Sequence, residues 1–345
     1  MSYSTVNKLC AGTRLADVRE FVQMLGFRKG LVWGSEGIKF YDYSWFEEAE
    51  YKSWSGVELC VYVDAEDRLL TVTTRSRVSR SYYDLVQQNN TVSALRRRFG
   101  GSFETDEGSG RYLRPAHGPP EPAASGCHLA FWRFGTNAIK VLGYLQAVQF
   151  QGEINDKANL PHFVVEMSPR ALSNNMVIAC LISVVEDYLK SVFIALLKYS
   201  ESRGTFFRNV RLQGDQLARI ASKEVSVEAL VAETLSFQKI SSACKHFKSL
   251  DKDLDLASVL RRPYRGRRKS LFEMLDELVA VRHDFVHRAI LDHSYSHESL
   301  MQIVFDLDVA MTRIDKAIFV RYHWPIIGKK WSIGRRPNRR GGLNE

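Results

Sequence analysis

Leu271-Phe-Glu-Met-Leu-Asp-Glu-Leu-Val-Ala-Val-Arg282-His283-Asp284-Phe285-Val286-His287-Arg288 joins an apolar stripe to a cluster of charged and ionisable side chains within one helix-length segment. Leu271, Leu275, Leu278 and Phe285 recur at helical spacing, which predicts an amphipathic helix whose stripe faces a core. Ser270 stands where the N-cap belongs, and the pattern predicts a helix over 271–291. Immediately upstream, Pro263 and Gly266 exclude a regular helix, so 261–269 is expected to be a loop.

Three further helices are predicted around this one. Ser173 or Asn174 caps a long helix through Tyr199, Val227–Leu250 is a second amphipathic stretch, and Ser296 or His297 opens a last helix through Ile318 or beyond. The expected organisation is an α+β domain over 1–168, an all-α four-helix bundle over 169–325, and a basic tail, 326–345, expected to be disordered. In the first of these, Thr13 is the expected cap of a helix through Leu25. Leu31–Trp33 with Ile38–Tyr43, and Val57–Val63 with Leu69–Thr74, read as hairpins. A helix from about Ser79 to Phe99 is closed by Gly100-Gly101 and followed by short strands at Ser102–Thr105 and Arg111–Arg114. The Pro-rich run Arg114–Gly126 reads as a loop. Beyond it a strand is expected at Leu129–Phe134, a helix at Ala138–Val148, and a last strand at His162–Met167.

Composition narrows the class. Of 345 residues, 45% are hydrophobic and 25% charged, enough to build a core without staples. The most apolar run, Met176 to Tyr199, carries Glu186, Asp187 and Lys190, so it is expected to be a core helix rather than a membrane span. Residues 1–15 contain no apolar signal core. Cys10, Cys60, Cys127, Cys180 and Cys244 are scattered, without a CxxC pair, which suits neither a disulfide framework nor a zinc site. A cytoplasmic protein with reduced thiols is expected. The net charge of +9 is concentrated: Arg261, Arg262, Arg265, Arg267, Arg268 and Lys269 contribute +6 and the tail from Lys329 contributes +5, leaving −2 for the remainder. Such runs contact phosphates or acidic partners, so the 261–269 loop is an expected RNA-binding element. In the N-terminal half, Arg75, Arg77, Arg80, Arg96, Arg97 and Arg98 flank Tyr82 and Tyr83, a basic and aromatic mixture that suits nucleic acid but equally a solvated helix with core tyrosines.

The ionisable cluster has a definable chemistry. His283 and His287 are four apart and stack on one helix face. Arg282 and His287 are five apart, about 140° around the helix and about 7.5 Å along it. Guanidinium supplies a permanent forked charge for phosphate oxygens, and imidazole moves a proton near neutral pH. Together they suffice to drive attack of an RNA 2′-hydroxyl on its own phosphate.

Residues from about 173 to 322 resemble the HEPN (higher eukaryotes and prokaryotes nucleotide-binding) superfamily, especially its ribonuclease branches in bacterial defence and toxin systems. The family pattern is an Arg, four to six residues, then a His, with a polar residue beside the Arg. Arg282, His283 and His287 match it, although Asn is commoner at the position of His283. Val184-Val-Glu-Asp-Tyr-Leu189 and Phe237–Phe247 resemble the family's first and second helix segments. The resemblance implies a metal-independent endoribonuclease without cofactor, acting as a homodimer whose motif helices face each other across a two-fold axis. It implies His287 as the acid–base residue, Arg282 as the holder of the scissile phosphate, His283 as a phosphate-orienting residue and Glu186 as a brace for Arg282. It further implies a bacterial antiviral or toxin effector whose N-terminal domain senses a trigger or restrains activity, with an antitoxin or a trigger protein as partner.

Two other functions use the same residues. Family members without working chemistry are RNA- or protein-binding modules. His283-Asp-Phe-Val-His287 also mimics the HExxH metal signature, with Asp284 in place of the usual Glu and His293 or His297 as a third ligand. The strand framework expected around such a metal helix is missing, and Arg282 beside a dication is unfavourable.

Overall fold

The structure is a computed structural model that describes residues 2–35, 37–149, 169–208 and 210–325. It divides into two compact units, 1–125 and 126–345. The expected strand at 162–167 and the basic tail lie outside the described residues.

Among its described residues the first unit is a seven-stranded sheet with two α-helices and a short 3-10 turn at Ala49–Tyr51. Its elements are β1 (Tyr3–Lys8), α1 (Leu15–Met24), β2 (Arg28–Ser35), β3 (Ile38–Trp45), β4 (Val57–Val63), β5 (Leu70–Ser76), α2 (Tyr82–Phe99), β6 (Ser102–Thr105) and β7 (Gly108–Ser109). The strand order is β2-β3-β4-β5-β1-β6-β7, with every neighbouring pair antiparallel. Alternation along β4 turns Val57, Leu59 and Val61 to a core shared with Val18 and Val22 of α1, Leu70 and Val72 of β5, and Leu95 of α2.

Both expected hairpins are present, whereas β1 is an addition to the expected elements. Its inward residues include Thr5 and Asn7, so no apolar alternation marks it. Asn7 donates to Val72 C=O at 3.1 Å, and the Thr5 and Thr74 hydroxyls lie 2.6 Å apart. The helix of 15–24 begins without the expected Thr13 cap. Arg14 occupies the N-cap without a capping bond, its guanidinium going to the Asp17 carboxylate at 2.6 and 2.8 Å, and Thr13 donates to Cys10 C=O at 2.7 Å. Ser81 and Asp84 form a capping box at α2, which starts three residues later than expected. Gly101 follows α2 at φ +89°, where a Cβ would lie 2.0 Å from Lys8 C=O, so only glycine lets the chain pass β1 there. The expected strand at 111–114 is irregular; after the turn at Gly108–Gly110, Leu113 bonds the carboxamide of Asn89 instead of a strand partner.

The second unit is helical among its described residues: α3 (Pro122–Gln149, which begins in the first unit), α4 (Pro169–Tyr199), α5 (Arg203–Arg208), α6 (Gly214–Ala221), α7 (Val227–Glu233), α8 (Ile240–Leu250), α9 (Leu256–Arg261), α10 (Leu271–Arg288) and α11 (His297–Arg321). The expected strand at 129–134 is the middle of α3. Its apolar run is too short to separate strand from buried helix by periodicity. The boundary therefore falls at 125 rather than 168, because α3 packs on α4: Phe131 and Phe134 approach Tyr188, with ring centroids 6.1 and 5.7 Å away. The 227–250 stretch is two helices, α7 and α8, broken where Thr234 turns its hydroxyl back to Val231 C=O at 2.7 Å. The long α4 is the hub, packing against α7, α8, α10 and α11. Towards its C-terminal end Phe193 is fully buried, with Phe206, Phe237 and Phe247 at 5.5, 5.4 and 5.7 Å. Among the described residues no helix is long and apolar enough to cross a membrane.

One half-buried base gives this unit an acid dependence. Burial pushes the His128 imidazole of α3 down to about 4. In the unfolded chain it titrates at the ordinary ~6.5, so between those values the unfolded state binds the extra proton and stability falls as pH drops. Urea midpoints at pH 7 and pH 5 should differ by a loss of about 2 kcal/mol at the lower pH. In His128→Gln that difference should shrink; an unchanged difference would assign the acid loss to other groups.

Candidate functional site

The motif helix α10 is set at both ends by local chemistry. Ser270 and Glu273 form a capping box: the Ser270 hydroxyl accepts the Glu273 N–H at 3.3 Å, and the Glu273 carboxylate accepts the Ser270 N–H at 2.7 Å. Leu271, Phe272, Leu275 and Leu278 are buried, as the stripe predicts, while Phe285 is half-buried. The helix stops at Ala289, which takes left-handed φ of 54° and gives its N–H to Phe285 C=O at 3.1 Å. A non-glycine residue there is strained, so something else must hold the exit.

That hold comes from the first turns of α4. Asn175, fully buried, grips Asp292 on both backbone atoms: its Oδ1 accepts the Asp292 N–H at 3.1 Å and its Nδ2 donates to the Asp292 C=O at 3.0 Å. The same Nδ2 also donates to Ala171 C=O at 2.8 Å. Asn174 donates to Tyr295 C=O at 2.7 Å. The segment leaving the motif helix is thus clamped to α4, and the start of α4 lies beside the end of α10.

On that end the structure brings His283 and His287 together. Both are exposed, with ring centroids 4.7 Å apart and planes 49° from parallel. Arg282 precedes them and is half-buried. Among the described residues none of the three makes a hydrogen bond or ion pair, so their donors and acceptors are left unspent. Exposed apolar side chains surround the same end: Val286 and Ile290 on and after α10, Leu172 and Met176 on α4. Glu186 is half-buried on α4, and no ion pair joins it to Arg282 among the described residues. The expected brace is not seen.

The metal alternative finds little here. Asp284 is engaged by Arg288 at 3.2 Å. His297 is buried at the start of α11, and among the described residues no three or more His, Cys, Asp or Glu gather as metal ligands would.

The basic loop is not six equivalent cations. Arg261 closes α9 and lays its guanidinium 4.2 Å over the Phe272 ring. Arg267 pairs with buried Asp306, and Lys269 with Glu277 at 2.7 Å. Arg262, Arg265 and Arg268 are exposed and have no carboxylate partner among the described residues. In the first unit, Arg77 pairs with Glu58, and Arg80 and Arg96 lie over Tyr3 and Phe103 at 3.6 and 5.5 Å. These cations are partly consumed by the fold.

Sequence reasoning offered Asn174 only as a candidate helix cap and missed Asn175 and Asp306; α4 begins at Pro169, so Asn174 sits inside its first turns instead of capping it. The visible signal for the two amides is their pairing in an otherwise apolar helix. Asp306 carries no such mark, because its partners lie about forty residues away. No family model, curated protein or solved structure matches the chain.

Proposed function

We propose that the chain is a metal-independent endoribonuclease that cleaves RNA by attack of the 2′-hydroxyl on the adjacent phosphate. The observation that carries the reading is the exposed His283–His287 pair beside Arg282, unengaged by other described residues. An imidazole at His287 takes the 2′-hydroxyl proton or supplies one to the leaving 5′-oxygen, and Arg282 offsets charge building on the phosphate. His283, in ring contact with His287, orients it or holds a phosphate oxygen. The exposed Val286, Ile290, Leu172 and Met176 support a homodimer through this end of the helical unit, which doubles a sparse set of groups at a two-fold axis. A role as a cytoplasmic antiviral or toxin effector, restrained by its sheet unit or by a partner, belongs to the same proposal.

The deciding experiment incubates the purified chain with tRNA, mRNA and rRNA in EDTA. Cleavage should persist and leave 2′,3′-cyclic phosphate or 3′-phosphate ends with 5′-hydroxyls. A 2′-deoxy substitution at the cut site should block it by removing the nucleophile. Cleavage that needs an added divalent ion would overturn the mechanism, and RNA binding without cleavage would make the chain a binding module.

A further inference from the structure

The basic loop contains a built turn. Arg267 N–H donates to Tyr264 C=O at 3.0 Å, and the two residues between, Arg265 and Gly266, have φ of 51° and 66°. Two consecutive left-handed residues inside such a bond mark a type I′ turn. Glycine takes that conformation freely; arginine does not, so Arg265 is held at the tip against its own preference.

What holds it lies beneath, on α11. Asp306 is almost fully buried and accepts the Tyr264 hydroxyl at 3.2 Å, the Gln302 amide at 2.6 Å and the Arg267 guanidinium. Arg313 donates to the C=O groups of Arg262 and Pro263, each at 2.9 Å, tying the loop's entry. The guanidinium carbons of Arg265, Arg267 and Arg313 lie 5.1, 5.3 and 5.5 Å from the Tyr264 ring. A solvated connector has no need of a buried carboxylate, which is costly unless fully partnered.

We infer that this turn is a preformed clamp for the phosphates of single-stranded RNA, with Arg262, Arg265 and Arg268 as its contacting cations and Asp306, Arg267 and Arg313 as the residues that position them. The inference rests on the proposed RNA substrate for the identity of its ligand. Charge complementarity selects the occupant: three exposed guanidiniums without carboxylate partners among the described residues sit on a rigid base, and guanidinium forks match phosphate oxygens. The clamp precedes Ser270, and Arg282 lies twelve residues further along α10, about 18 Å of helix. The clamp therefore holds RNA at a remove from the histidines and sets which stretch of strand reaches them.

The test measures binding of a labelled oligoribonucleotide of mixed sequence by fluorescence anisotropy across a salt series, using the full chain carrying His287→Ala so that nothing is cut. Substituting Arg262→Gln, Arg265→Gln and Arg268→Gln together should weaken binding and flatten the slope of log affinity against log salt by about two, at about 0.7 per single-strand contact. Arg96→Gln, Arg97→Gln and Arg98→Gln together should leave the slope unchanged. Arg267→Met should lower the thermal midpoint and leave the slope. Asp306→Asn should weaken binding although all three contacting arginines remain; if it does not fold, Gln302→Leu, which removes one bond to the same carboxylate, replaces it. An unchanged slope in the loop triple, an equal loss in the control triple, or wild-type affinity in the Asp306 variant or its replacement would overturn the inference. A DNA oligomer should lose the same affinity as RNA on the loop triple; a loss confined to RNA would overturn the phosphate assignment. Binding is read without cleavage, so a chain that binds in this way but cuts no RNA sinks the ribonuclease proposal and leaves the clamp standing.

Discussion

His287→Ala is expected to abolish RNA cleavage, with a loss of roughly 10²-fold or more, the usual cost of removing a general acid or base. The neighbouring imidazole on α10 belongs to His283, four residues back and one turn lower. Arg282→Ala is expected to be damaging to a similar degree, because removing a preorganised charge at a developing oxyanion costs about 10²–10³ in rate. Both changes should leave the fold intact, since alanine is the best helix former and the two side chains bond to nothing else described. Circular dichroism checks that, and a cleavage assay reads the rest. Asp284→Asn completes the comparison. A metal site would make it as harmful as His287→Ala and Arg282→Ala mild, whereas the phosphate-transfer reading expects the reverse order. A binding module would show wild-type behaviour in all three.

Phe193→Ala should be the most destabilising of the simple truncations. The side chain is fully buried in the C-terminal third of α4, and three phenylalanines from three other segments close on it. Truncation removes its burial and leaves a cavity that α4, pinned on several sides, cannot collapse into; about 3–5 kcal/mol is expected. That is a large share of the ~5–15 kcal/mol by which domains are stable. Val320→Ala, at a side chain 63% exposed, should change stability by no more than about 0.5 kcal/mol. Urea unfolding of the two variants reads the contrast, and a small loss for Phe193→Ala would mean the helical unit repacks freely.

The parts of the fold legible in the sequence were those with local causes. Ser270 and Ser296 cap α10 and α11 where expected, because an N-cap depends on residues within one turn. The two hairpins follow from turn residues between alternating strands. What was hidden had distant causes. β1 turns Thr5 and Asn7 inward, and their bonds go to β5, more than sixty residues on. At the candidate site, the spacing of Arg282, His283 and His287 was visible because a helix converts spacing into proximity. Which loop arginines are spent on the fold was not, since the pairing of Arg267 depends on a carboxylate from another helix. A run of like charges looks uniformly solvent-facing until its partners are located.

The asparagine clamp behind α10 has a further consequence for experiment. Asn174 and Asn175 hold the exit of the motif helix with carboxamides against backbone amides and carbonyls, groups that neither gain nor lose protons in the ordinary range. The bonds these two amides make therefore hold across a pH series, so neither protonation nor deprotonation of the side chains that grip it releases the exit of the motif helix.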